Sequence, residues 1–385
     1  MTDPREMAKM LQQELPAILA MTERVVNIDS GTYHAAGVNA VIDVWSEFLR
    51  GCGFEVTRRP LQGRADQMTA RRVLGEGKRV LVLGHADTVW PAGTVADWPF
   101  SRDGDWITGP GVGDMKSCVV MALHAIRTVL RDPPVGVGSI TFLVVPDEEI
   151  GSPGSRAWIE GEARRADLCL TMEPCRPGGG VVVGRGAVGA LYIRATGVSA
   201  HTGSSRDQGA SAIAALAPMV VPLEALTDPA RGVSATVGLF HGGAARQVVP
   251  SDAEIHLDLR AADQDGATWL LSEARRIASV PPANPRVSIS VEGDFYRPPF
   301  PTHPGTRALF GRAQSICAEL GAPIHDVVSP GGSDGSFAAA LGIPTLDGLG
   351  PITHETCSRR ERVEVSSIAV RGALLATLIG DAGSL

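Results

Sequence analysis

Two hydrophobic periods run along this chain, and the places where one gives way to the other mark its elements. Over residues 4–28 apolar positions recur among charged ones at helical spacing, and Pro16 predicts a kink or break. Val38, Val41, Ile42, Trp45 and Leu49 fall on one face of a second helix, which Gly51 and Gly53 end. Phe54–Val56 and Arg72–Leu74 read as strands leading into Val80–Leu83, a short apolar run of the kind buried in a mostly parallel sheet. Residues 88–113, rich in Pro, Gly and Asp, predict a long loop, and Met115–Leu130 a helix stopped by Pro133 and Pro134. Ser139–Val145 is another strand, Ser155–Arg165 a helix, and Asp167–Met172 a strand.

Three of these strands stop at polar residues that can do chemistry. Leu83 precedes His85 and Asp87, Val145 precedes Glu148 and Glu149, and Met172 precedes Glu173. Helices separate the strands, which is the pattern of a wound α/β sheet, and such sheets bind ligands at the carboxyl ends of their strands.

After residue 184 the character changes. A half-exposed strand begins at Val188, a helix spans about Gly209–Val220, strands lie at 233–240 and 252–260, a helix at 266–279 and a strand at 287–291. Two helices and four strands make a small α+β sandwich. From 304 the first pattern resumes through helix 305–320, strand 324–328, helix 335–341, strand 344–347 and helix 366–379. The expected organisation is a catalytic domain formed by 1–184 and 295–385, interrupted by an inserted domain at 185–294.

Composition narrows the function classes. A chain of 385 residues exceeds one ordinary core, and 44% hydrophobic content with 27 prolines suits a loop-rich globular protein. The net charge of −7 and the lack of a basic stripe argue against a nucleic-acid partner. The six cysteines show no C-x-x-C spacing and several sit in apolar runs, so they are expected to be reduced. No signal peptide and no 18-residue apolar run can be read, so no membrane association and a cytoplasmic location are expected.

The chemistry lies at the strand ends. Adjacent carboxylates such as Glu148 and Glu149 are usually solvated, but these follow a buried strand directly. Two like charges there need a cation or a proton between them. A metal centre supplies one, with one carboxylate as ligand and the other free to move a proton. Asp114, in Gly109-Pro-Gly-Val-Gly-Asp-Met-Lys116, is either a helix N-cap or a ligand. Glu173 is either a strand terminator or a ligand, and His354 a loop histidine or a ligand. Two His, one Asp and two Glu at such junctions suit a zinc pair.

Two motifs compete. Gly184-Arg-Gly-Ala-Val-Gly189 matches a dinucleotide-binding pattern, but strand-like residues follow where a helix should open. Gly331-Gly-Ser333-Asp-Gly335, with Asp347 and His354 downstream, has the order of a serine-hydrolase triad. Against it, Pro330 disfavours a strand entering the elbow, and the acids at three strand ends would have no role.

The segments His85-Ala-Asp87-Thr-Val, Gly109–Lys116, Asp147-Glu-Glu149-Ile-Gly-Ser-Pro-Gly-Ser155, Glu173-Pro and Gly332-Ser-Asp-Gly335 resemble, in order and over nearly the whole chain, the dizinc amidohydrolase family. That family includes glutamate carboxypeptidase, acetylornithine deacetylase and succinyl-diaminopimelate desuccinylase. The Glu-Glu-x-Gly-Ser-x-Gly-Ser form and Leu346-Asp-Gly-Leu-Gly350 are most similar to the glutamate carboxypeptidase branch. The resemblance implies two Zn2+ per subunit, with Co2+ or Mn2+ as substitutes. His85 and Glu173 would ligate one ion, Glu149 and His354 the other, and Asp114 would bridge them. Asp87 would support His85, and Glu148 would be the general base acting on the metal-bridging water.

The same resemblance makes the inserted domain a lid that carries homodimer contacts. His201 would stabilise the tetrahedral oxyanion in the partner's site. Arg260 would hold a substrate carboxylate, for which its two-pronged fork is suited. Gln247 and Gly332 complete the implied substrate contacts. Two departures stand out: Gln247 occupies a position where relatives commonly carry Asn, and Cys175–Val181 offers no lysine for a glutamate side chain, leaving Arg176 or Arg185 to compensate. The expected substrate is an N-acyl amino acid or short peptide cleaved at the amide to its C-terminal residue. The alternatives are an N-deacetylase or desuccinylase of an amino-acid metabolite, a Ser333 hydrolase, and a non-catalytic binding protein.

Overall fold

The computed structural model describes residues 2–385, and these fall into two compact units. Unit 1 comprises everything up to Gly184 together with Pro301–Val328 and Ser333–Leu385; unit 2 is Arg185–Phe300 with Ser329–Gly332.

Unit 1 is built on a six-stranded sheet. Its strands are β1 (Glu55–Arg59), β2 (Gln67–Val73), β3 (Lys78–His85), β4 (Val137–Val145), β5 (Leu168–Thr171) and the short Thr345–Leu346. Their spatial order is β1, β2, β4, β3, β5, then Thr345–Leu346. The four strands from β4 onward run parallel, while β1 and β2 form an antiparallel edge. Side chains alternate across β3 onto two apolar layers. Val80 and Val82 pack with residues of helices Pro4–Val26, Ala35–Gly51, Ser117–Val129 and Val365–Gly380. Leu81 and Leu83 meet Ile159 and Phe337 from helices Arg156–Ala163 and Gly335–Ala340. Burial on both faces explains why the strand reads as an unbroken apolar run. His85 pairs in register with Val145, and Leu83 with Thr171, so the polar residues beyond all three strands emerge at one edge.

Two expectations change in unit 1. The first helix runs from Pro4 to Val26 through Pro16 without a break. Pro16 and Gln12, four residues before it, are both exposed, so water can take the carbonyl that proline leaves without a partner. On the opposite face Leu11, Ile18 and Val25 are fully buried and hold the helix in place. The stretch 88–113 is more than a loop. It contains a short helix, Thr94–Asp97, and a hairpin, Ser101–Asp103 with Trp106–Thr108. That hairpin joins Arg362–Glu364 and Thr353–His354 in a second sheet.

Unit 2 is an antiparallel four-stranded sheet with strands β6 (Ala187–Thr196), β7 (Val233–Gly242), β8 (Asp252–Ala261) and β9 (Ser288–Arg297), ordered β7, β8, β6, β9. Ile255, Leu257 and Leu259 of β8 pack into an apolar cluster with Leu216 and Leu223 of helix Ala212–Glu224 and Leu270 of helix Gln264–Ala278. The alternate residues Glu254, His256, Asp258 and Arg260 are only half-buried, as period-2 alternation requires of a sheet covered on one face. Helix Ala212–Glu224 starts three residues later than expected, where the Ser211 hydroxyl accepts the Ala214 N–H at 3.1 Å.

Candidate active site

The site forms where the β3, β4 and β5 ends meet the loop before helix Ser117–Val129. His85 is buried at the end of β3. Its Nδ1 lies 2.9 Å from the backbone carbonyl of Asp87, and its Nε2 lies 3.2 Å from Asp114 Oδ1. The Asp87 carboxylate is 3.4 Å from the ring, so the closer support of His85 comes from the Asp87 carbonyl. A ligating imidazole normally places its second nitrogen on such a partner. The carboxylate has another task. Oδ1 accepts the Glu148 N–H at 3.1 Å, and Oδ2 accepts the Glu149 N–H at 3.2 Å and the Thr32 hydroxyl at 2.7 Å. Asp87 therefore sets the turn that carries both glutamates.

Asp114 does not cap the following helix. Its carboxylate faces His85 and receives the Cys357 thiol at 3.5 Å. The Asp114–Met115 peptide bond is cis. Gly113 is required by packing, since a Cβ there would come within 2.2 Å of the Thr353 methyl.

These residues form two overlapping groups whose ligand atoms lie within 4.8 Å of one another: His85, Glu148 and Glu173, and His85, Asp114 and Glu149. Charge explains the protonation pattern. Burial and the neighbouring Asp114 carboxylate push Glu149 and Glu173 well above the usual carboxylate range. Burial opposes the charged form of His85, but hydrogen bonding to Asp114 and Asp87 prevails and raises its pKa well above the ordinary value. For Asp114, burial acts upward, and the His85 contact overrides it and lowers the pKa. Glu149 Oε1 is buried without a hydrogen-bond partner. An acid cluster gathered around one imidazole, with an orphaned carboxylate oxygen, fits divalent cations bound through N and O donors.

Of the five ligands implied by resemblance, His85, Asp114, Glu149 and Glu173 are brought together. His354 stands apart from both groups. Its Nε2 is 2.7 Å from Glu364 Oε1 and its ring meets the Trp106 ring edge-on at 5.3 Å between centroids. That contact leaves Nδ1 as the nitrogen able to take a metal.

The serine triad is not assembled. Ser333 is fully buried, its hydroxyl accepts the Gly335 N–H at 3.1 Å, and His354 is engaged by Glu364.

The remaining candidates lie in unit 2. His201 is exposed, and its Nδ1 accepts the N–H groups of Gly203 and Ser204 at 3.1 and 3.2 Å. An accepting Nδ1 puts the ring proton on Nε2. Arg260 is paired along its own strand, with Nε and one terminal nitrogen 2.8 and 2.9 Å from the two oxygens of Asp258. That pair raises the pKa of Arg260. The exposed Gln247 offers its carbonyl to the Thr202 N–H and hydroxyl. Gly332 packs under Arg297, which a Cβ would approach to 2.7 Å. Arg185 is buried and directed at the carbonyls of Gly331 and Gly332, whereas Arg176 of unit 1 acts electrostatically on Asp114.

Sequence reasoning missed Glu361, Glu364 and Cys357. Glu361 and Glu364 sit in Arg359-Arg-Glu-Arg-Val-Glu364, which has the pattern of a solvated charged stretch. Nothing local separates them from surface residues. Glu361 is fully buried, and burial and the nearby Asp114 carboxylate push its pKa up to about 7.

Comparison with known proteins agrees with this geometry. Residues 81–381 match the model of peptidase family M20/M25/M40. The chain is 30% identical to carboxypeptidase G2 of Pseudomonas sp. strain RS-16 over 379 residues, covering 96% of this chain and 90% of that protein. It is 28% identical to succinyl-diaminopimelate desuccinylase of Cereibacter sphaeroides, covering 94% and 98%. Its fold superposes on a tripeptidase from Staphylococcus aureus with a TM-score of 0.80 at 20% identity, covering 96% and 99%. For a family M20 metallo-carboxypeptidase from Sulfolobus solfataricus the TM-score is 0.74 at 16% identity, covering 96% and 99%. The wound α/β sheet, the second antiparallel unit and the acid cluster at the strand ends thus have one explanation: the chain belongs to peptidase family M20/M25/M40, whose members are hydrolytic metallo-enzymes.

Proposed function

We propose that this protein hydrolyses the amide bond joining an acyl group to an amino acid with a free α-carboxylate. The observation that carries the proposal is the pair of ligand groups sharing His85, with the orphaned Glu149 oxygen between charged neighbours. His85, Asp114, Glu149, Glu173 and His354 would hold two divalent cations, with zinc the expected metal. When bound, such ions polarise the scissile carbonyl and lower the pKa of the attacking water. Glu148 takes the proton from that water and returns it to the leaving amine. Its backbone is fixed for this by Asp87. His201, with its proton on Nε2, donates to the oxyanion, and Arg260 takes the substrate carboxylate, competing with or sharing Asp258. A homodimer formed through unit 2 and a cytoplasmic location complete the proposal.

A second reading, desuccinylation of an amino-acid metabolite, is favoured by the similarity to the Cereibacter enzyme over nearly its whole length. One experiment separates the readings: turnover of N-acyl-glutamate, N-acyl-aspartate, neutral N-acyl amino acids, dipeptides and N-succinyl-diaminopimelate, with added zinc and after chelation. Turnover of N-acyl-glutamate, N-acyl-aspartate, neutral N-acyl amino acids or dipeptides above that of N-succinyl-diaminopimelate, abolished by chelation and restored by zinc, is expected; the reverse preference would favour the second reading. Activity that survives exhaustive chelation would sink the metal-dependent mechanism.

A further inference from the structure

Glu361 is fully buried, and its carboxylate accepts hydrogen bonds from the two segments beside the proposed metal centre. Oε1 accepts the Gly113 N–H at 2.7 Å and the Asp114 N–H at 3.2 Å. Oε2 accepts the Cys357 N–H at 2.9 Å. The residue is itself pinned where its backbone carbonyl accepts the Thr108 hydroxyl at 2.8 Å. No Lys or Arg forms an ion pair with it among the described residues. The buried Lys116 acts on it only electrostatically, without an ion-pair contact, and a buried carboxylate held this way is costly unless its acceptor capacity is needed.

The donors explain the need. Three backbone N–H groups from two segments point at one spot, and only an acceptor-only group can satisfy them all. An amide of the same size would turn an NH2 toward at least one of them. Cys357 also has a φ of 58°, the left-handed region that a non-glycine residue enters only when held there. Held so, its thiol reaches Asp114 Oδ2 at 3.5 Å. The segment carrying Asp114 and the segment following His354 are thereby tied to each other twice, once through Glu361 and once through Cys357.

We propose that Glu361 is a positioning residue that sets the placement of the Asp114 carboxylate relative to the loop after His354, and so tunes the metal site those residues would share. The inference rests on the metal-dependent reading above. It concerns a residue outside the ligand set, acting through the backbone of one ligand.

The test titrates metal-free wild-type protein and Glu361→Gln with Co2+, followed by visible absorption, and with Zn2+, followed by calorimetry. Wild type is expected to bind two ions per chain. In the variant one step weakens about 10–100-fold, the usual effect of losing a partner that orients a ligand. Its Co2+ spectrum changes, and kcat falls while KM is nearly unchanged. Identical titrations and spectra in a variant that merely melts at lower temperature would make Glu361 a structural residue and overturn the inference, leaving the proposed function intact. Wild type that binds no divalent ion would overturn both. Should the variant not fold, amide hydrogen exchange in wild type decides: the Gly113, Asp114 and Cys357 amides are expected to be protected together, and free exchange at Cys357 would overturn the proposal.

Discussion

Asp87→Asn is the sharpest probe of how the site is organised. The carboxylate accepts two backbone N–H groups, from Glu148 and Glu149, and the Thr32 hydroxyl, all around a side chain with no solvent exposure. Asparagine fits the space but replaces one oxygen by NH2. In the better orientation the NH2 takes the Oδ2 position, where the Thr32 hydroxyl can turn to accept from it, and the Glu149 N–H is left facing another donor. Stranding one buried donor costs about 1–3 kcal/mol, and converting the other charge-assisted bonds to neutral ones adds about 1 kcal/mol, for a total of about 2–4 kcal/mol. The His85 ring keeps its 2.9 Å bond to the residue-87 carbonyl, which the substitution does not touch. The damage should therefore fall on the Glu148–Glu149 turn more than on His85. Urea unfolding of metal-free protein should show a lower midpoint at unchanged slope. The misplaced base should lower kcat by about 10²-fold, a typical cost of a small misalignment. A variant within 0.5 kcal/mol of wild type (a bound typical of neutral surface changes) and with normal kcat would refute the assignment of Asp87 as organiser of this turn.

Three further outcomes are expected. Glu148→Ala should retain metal by elemental analysis yet lose about 10²–10⁴-fold or more in kcat; near-normal turnover by the metal-loaded variant would exclude Glu148 as the base. Arg260→Lys should raise KM for free-carboxylate substrates and leave esters or amides of the same substrates unaffected, because a single ammonium cannot reproduce the fork; equal effects on both classes would remove Arg260 from substrate binding. His124, buried beside Arg127 and Glu14, has its pKa lowered from 6.5 to about 4, chiefly by burial and then by the Arg127 charge. The native state thus resists protonating it, and stability present above pH 6.5 is lost as pH falls toward 4. By proton linkage the loss amounts to about 3 kcal/mol. His124→Gln, which keeps an acceptor for Arg127, should flatten that acid limb in unfolding measured against pH, and an unchanged slope would contradict the linkage.

Much of this protein is written locally in its sequence. Val80–Leu83 reads as a strand buried on both faces because each side chain meets an apolar layer, and the His and acids follow immediately because the chain must leave the core there. Four separate segments, carrying His85, Asp114, Glu148–Glu149 and Glu173, were legible as candidates in this way and are brought together by the fold. Pro16 misled for an equally physical reason. It lies on the exposed side of its helix, where water takes the freed carbonyl, and sequence alone does not say which side faces out.

What only the tertiary structure decided are the pairings between distant segments. His354 is held in a sheet that joins Thr353–His354 and Arg362–Glu364 to the hairpin near Trp106, inside a stretch that reads as loop. Glu361 reaches Gly113 across 248 positions of chain, from a charged run indistinguishable from solvated surface. Arg260 looks like an open carboxylate clamp until Asp258, two residues away on the same face of a strand, is seen filling its fork. Periodicity and turn chemistry are properties of neighbours in sequence. Which buried acceptor meets which donor is settled only when folding removes water and leaves each polar group a single set of partners.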